Sequence, residues 1–111
     1  MSSLAGKSCS ACRKGTPPAT ADQVAAWLPQ LPDWQLIEID GVQRLQKVFT
    51  FKNFAQALQF TNQVGTLAEQ ENHHPELLTE WGKVTVTWWT HAIGGLHEND
   101  FIMAAKTGEL L

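Results

Sequence analysis

HHPELLTEWGKVTVTWWTH, residues 73–91, contains the change from helix to strand on which the fold turns. Pro75 disfavours helical backbone at the residue before it, so a helix arriving from upstream ends at His73 and His74. Beyond the proline, Leu77 to Glu80 and Lys83 to His91 flank the turn residues Trp81 and Gly82. In the second of these runs Val84, Val86 and Trp88 alternate with Thr85, Thr87, Trp89 and His91. A period of two with one apolar side predicts a β-hairpin covering a core.

Working upstream, Phe54, Ala57, Leu58, Thr61, Val64 and Ala68 recur at spacings of three and four behind Asn53, a capping residue type. That spacing predicts the longest helix over residues 53–72. Before it, Trp34 to Ile39 and Val42 to Phe51 surround Asp40-Gly41, a dipeptide that tolerates the positive φ angles of a two-residue hairpin. Thr20-Ala21-Asp22-Gln23 has the form of a capping box and opens a helix that Pro29 and Pro32 keep short. Downstream, Gly94-Gly95 breaks the strand, and Glu98-Asn99-Asp100 leads into Phe101, Ile102, Ala104 and Ala105, an acidic start to a last helix.

The expected order is α-β-β-α-β-β-α in an α+β fold, a four-stranded antiparallel sheet with helices packed on one face. The opposite face is then free for an oligomer contact. Residues 1–19, rich in Ser, Ala, Gly and Pro, show neither period and are expected as a flexible tail, with residues 20–111 forming one domain. Cys9 and Cys12 in that tail make a C-x-x-C. It is at most half a zinc site and lacks the strand-to-helix setting of a redox pair, so it reads as reduced and incidental.

The 111 residues suit a single core, and 43% hydrophobic residues with five Trp and five Phe supply it without cross-links. The formal net charge is −3, with eight Lys and Arg scattered along the chain, which argues against nucleic acid as a partner. No apolar run has the length of a membrane span or of a secretory signal, so no membrane association and a cytoplasmic setting are expected.

Three of the four histidines fall between residues 73 and 91. Imidazole is the side chain that gives and takes protons near neutral pH, so the cluster suits acid–base chemistry. Glu69, four residues before His73, would face it on one helix side and favour its protonated form. On spacing alone, adjacent histidines beside a proline are more often an exposed polar helix end without function, and a solvated or structural role suits His91 as well as a chemical one. His97 reads as a surface residue at the entry to the last helix. Trp34 suits either the core or an aromatic wall.

At these residues the sequence resembles the pterin-4a-carbinolamine dehydratases. Glu69, His73-His74-Pro75, Trp81, His91 and Asp100 match that family's pattern in order and spacing, and Trp34 stands where its members have a Trp beside the site. The likeness runs from about residue 20 to the C-terminus. It implies the same α-β-β-α-β-β-α fold, a homodimer or homotetramer, and a pterin substrate that loses water without metal or organic cofactor. It further implies His73 and His91 as general acid and base, His74 as the residue that binds and orients the pterin and contributes to the proton relay, and Glu69 and Asp100 as supports for the imidazoles. An animal member also serves as a dimerisation cofactor of a transcription factor, so a protein-binding module is the alternative. A metalloprotein using His73, His74 and His91 with Cys9 or Cys12 lacks a standard ligand spacing. His97 departs from the family, where a Ser or Thr cap is common.

Overall fold

The computed structural model describes residues 4–7 and 16–111. Cys9 and Cys12 lie outside the described residues. Helix α1 (Ala21–Trp27) begins at the expected capping box: Gln23 N–H donates to the Thr20 hydroxyl at 3.1 Å, and Thr20 N–H donates to the Gln23 side chain at 2.9 Å. A single 3₁₀ turn, Leu28–Gln30, follows with Pro29 in its first positions, where the missing N–H costs nothing.

Strands β1 (Gln35–Ile39) and β2 (Val42–Thr50) are joined by Asp40 and Gly41, both with positive φ. That is the backbone a primed two-residue turn requires, and it fixes the register with Ile39 opposite Val42. Helix α2 (Phe54–Glu71) is capped by Asn53, whose side chain accepts from Gln56 N–H at 2.9 Å. The second hairpin comprises β3 (Glu76–Glu80) and β4 (Lys83–Trp88), and α3 (Glu98–Gly108) closes the chain. All strand pairs are antiparallel, in the order β1-β2-β4-β3.

The register puts Leu45 opposite Trp88 and Phe49 opposite Val84, so these residues share one face of the sheet. That face is buried under Ala57, Phe60, Val64 and Ala68 of α2 and Phe101, Ile102 and Ala104 of α3. Polar contacts pin the layers: Thr61 and Thr79 hydroxyls lie 2.6 Å apart, and Trp88 Nε1–H donates to the Thr107 hydroxyl at 3.2 Å. The α+β architecture with helices on one face is therefore the observed one.

Two local features differ from expectation. The run through His91 does not remain a strand. It leaves the ladder after Trp88, makes a bridge between Thr90 and Gly95, and turns through a 3₁₀ turn, His91–Ile93, that ends on Gly94 at φ 61°. Within the segment expected as a tail, Leu4–Gly6 form a short turn in which Leu4 is buried against the core, and Lys7 pairs with Glu98 at 2.8 Å.

Candidate active site

The site is built where α2 ends, β4 ends and α3 begins. Asn72 takes the left-handed conformation, φ 52° and ψ 42°, and closes α2 through hydrogen bonds from its own N–H and that of His73 back into the last turn. Such a cap reverses the chain direction. The next two side chains then diverge: His73 turns inward with its side chain 10% exposed, while His74 stays 53% exposed.

This divergence overturns the expected pairing of Glu69 with His73. A four-residue spacing brings side chains together only while helical rotation continues, and it stops at Asn72. Glu69 instead meets His74, Oε1 to Nε2 at 3.1 Å, as an exposed pair that contributes little to stability. His73 meets Asp100, Nε2 to Oδ1 at 2.7 Å, and stacks on Trp88 with ring centres 5.8 Å apart and planes 14° from parallel.

Asp100 is fully buried and saturated. Beside His73 at Oδ1, its Oδ2 accepts from the Thr90 hydroxyl at 2.7 Å and from His97 N–H at 2.9 Å. The position three residues into α3 also places the carboxylate against the positive end of the helix. Because a carboxylate only accepts, His73 Nε2 carries the hydrogen, and Nδ1 is the nitrogen left to exchange a proton. Thr90 immediately precedes His91, so one carboxylate ties the segment bearing the tandem histidines to the segment bearing the third.

His91 is exposed, and its ring stacks on Trp89 at 4.4 Å between centres. Trp89 also carries the Arg44 guanidinium, whose Cζ lies 4.0 Å from the ring centre. Sequence reading placed Trp89 on one strand face with His91 but passed over Arg44, whose place opposite Trp89, one residue beyond the β2–β4 register, comes from strand pairing.

The remaining candidates are spread more widely. Pro75 is half-buried between His74 and the start of β3, where it keeps the tandem pair out of helical geometry. Trp34 is a core residue, edge-on to Phe49 at 6.0 Å, and lines a separate cavity of about 490 Å³ with Leu31 and Lys47 and no histidine. Trp81, 71% exposed, sits in the β3–β4 turn. Five strand residues at about 3.4 Å each put it roughly 17 Å from the histidine end of the hairpin. His97 is half-buried, and its Nδ1 accepts from Asn99 N–H at 3.1 Å, so the imidazole itself caps α3 in place of a Ser or Thr. Among the described residues no three His, Cys, Asp or Glu side chains converge as a metal ion would require. No described helix is long and apolar enough to cross a membrane.

A four-stranded antiparallel sheet under three helices, with His73 bonded to a buried aspartate at one end, defines a small α+β protein with a candidate acid–base site. Comparison with known proteins gives the family. The pterin 4 alpha carbinolamine dehydratase profile matches residues 17–110, and the chain belongs to that family. A protein of Syntrophotalea carbinolica named "Putative pterin-4-alpha-carbinolamine dehydratase" is 59% identical over all of this chain and 99% of its own length. One of Marinobacter nauticus with the same name is 60% identical over 99% of each. Among solved structures, a "transcriptional coactivator/pterin dehydratase" from Brucella melitensis matches 85% of this chain and 98% of its own, with a TM-score of 0.75 and 33% identity. A pterin dehydratase-like RuBisCO assembly factor of the alpha-carboxysome, 24% identical with a TM-score of 0.60 over 70% of this chain and 88% of its own, shares the fold.

Proposed function

We propose that this protein dehydrates a 4a-hydroxytetrahydropterin to the quinonoid dihydropterin, serving tetrahydropterin recycling for aromatic amino-acid hydroxylation in the cytoplasm. In that reaction the C4a–O bond breaks, the departing hydroxyl takes a proton to leave as water, and N5 gives up its proton as the C4a–N5 double bond forms. No electrons leave the substrate. One acid and one base suffice, because hydroxide departs readily only once protonated.

His73 and His91 fill those roles in this reading, with His74, open to solvent beside Glu69, binding and orienting the pterin. The observation that carries it is the Asp100 carboxylate, bonded at once to His73 and to the hydroxyl of Thr90, the neighbour of His91. A carboxylate on one imidazole nitrogen fixes the tautomer and stabilises the imidazolium that forms when the other nitrogen takes a proton. Family membership supports the substrate class.

The test is the spectrophotometric decay of freshly generated 4a-hydroxytetrahydropterin. Acceleration over buffer is expected, and decay at the buffer rate overturns the reading. Assembly as a homodimer or homotetramer belongs to the same proposal. Val48 and Leu78 support it, being exposed apolar residues that share with Thr85 the sheet face turned from the helices. Light scattering of the purified protein tests it.

A protein-binding role is the second reading. It is favoured by a groove of about 650 Å³ along the outer side of α2, lined by Leu58, Leu67 and Leu110 among glutamines, and by the coactivator role in the name of the Brucella melitensis structure. Wild-type protein that leaves the pterin intermediate to decay at its buffer rate favours this second reading.

A further inference from the structure

We propose that Arg44 is a positioning residue for His91, acting through Trp89; the inference rests on the dehydratase reading for its kinetic consequence and on geometry alone for its structural one. His91 stands on an exposed 3₁₀ turn. Its imidazole has no hydrogen-bond partner among the described residues, in contrast to His73 on Asp100 and His74 on Glu69. What orders the ring is its stack on Trp89, at 4.4 Å with planes 28° apart.

Trp89 in turn lies just past the end of β4, beyond the last residue of the ladder. Its backbone is unpaired between Trp88, the last ladder residue, and the Thr90–Gly95 bridge. Arg44 adds a contact to the indole itself. It projects from near the start of β2, where it pairs with Ile37 of β1, and its Cζ sits 4.0 Å from the indole ring centre. A guanidinium over an indole face is attracted by the ring quadrupole, and its flat shape matches the ring as an ammonium does not. Arg44 makes no ion pair among the described residues, and its Nε is buried without a hydrogen-bond partner. A guanidinium committed in this way to an aromatic ring, rather than to a carboxylate, is placed for the sake of the ring. The series runs from rigid strand to cation, from cation to indole, and from indole to imidazole. Orientation of a group that transfers a proton governs the rate more than it governs affinity for the substrate.

The experiment combines kinetics with nuclear magnetic resonance of the full chain. Arg44→Met keeps the aliphatic stem and removes the planar cation. It is expected to lower kcat about tenfold with KM changed less than about twofold, as misorientation of a reacting group does. Arg44→Lys restores charge without the flat face and is expected to recover only part of the loss. Trp89→Ala should match Arg44→Met, and the double variant should be no worse than either, because both remove one chain of contacts. An unchanged kcat in Arg44→Met, or losses that multiply in the double variant, overturns the inference.

The resonances of the His91 ring protons give a second reading that needs no activity. They are expected upfield in the wild type, under the indole ring current, and to move toward the free-histidine position in Arg44→Met. Identical His91 shifts in the two proteins overturn the inference. Absence of dehydratase activity in the wild type instead removes the functional reading and leaves this spectroscopic comparison to decide the structural one.

Discussion

Asp100 Oδ1 lies 2.7 Å from His73 Nε2 across 27 residues of sequence, and the carboxylate that makes the contact is wholly shielded from solvent. Removing it unpairs the Thr90 hydroxyl, His97 N–H and His73 Nε2–H together. A buried donor left unpaired costs about 1–3 kcal/mol, and relaxation shares the loss among the three, so Asp100→Ala is expected to lose about 3 kcal/mol in urea unfolding. Asp100→Asn keeps the shape and one acceptor oxygen but turns an amide toward donors. It should lose less stability, about 1–2 kcal/mol, yet still lower the dehydration rate by tenfold or more, because the tautomer of His73 is no longer fixed. Full activity in Asp100→Asn would sink the proposed link between this carboxylate and proton transfer.

His73 and His91 are expected to substitute for each other in part. Each positioned proton transfer contributes about 10²- to 10⁴-fold, and the 4a-hydroxyl intermediate already tends to lose water. His73→Ala and His91→Ala should each retain measurable acceleration of pterin decay, whereas the double variant should fall close to the buffer rate. A double variant as fast as either single one would remove both residues from the chemistry.

Asn72 sets the divergence of the tandem histidines. Its left-handed backbone strains a residue with a Cβ, and asparagine is among the few that tolerate it. Asn72→Gly should therefore be neutral or slightly stabilising, and Asn72→Val should cost about 1–2 kcal/mol in thermal or urea unfolding. Because the cap aims His73 at Asp100, Asn72→Val should also lower the dehydration rate, while Asn72→Gly should not.

Much of the fold was readable because its signals are local. The Thr20 to Gln23 capping box, the Asp40-Gly41 turn and the Asn53 cap each act through a few neighbouring residues, and each is found in place. The site was harder, because its contacts link residues far apart in the chain. Helical spacing joined Glu69 to His73, and the rule failed at Asn72, where one residue of opposite handedness handed His73 to Asp100 and His74 to Glu69. Strand alternation carried through His91 failed for a similar reason, since the ladder ends at Trp88 and a 3₁₀ turn takes over. The burial of Leu4 is a tertiary fact with no signature in short-range pattern.

His97 offers the cleanest separation of stability from activity. Its imidazole accepts from Asn99 N–H while its own backbone N–H donates to Asp100, so it closes a capping box that serines and threonines usually form. The side-chain half of that box is lost in His97→Ala, and loss of an N-cap acceptor costs about 1 kcal/mol. His97→Ser and His97→Asp restore an acceptor at the same place and should recover most of that stability in urea unfolding. The backbone half remains in every variant, so Asp100 keeps its hold on His73 and Thr90. Dehydration rates should accordingly stay within about twofold of wild type across all three, because a change confined to the cap leaves the transition state untouched. A large rate loss in His97→Ser, with stability recovered, would instead make this fourth imidazole a participant in the reaction.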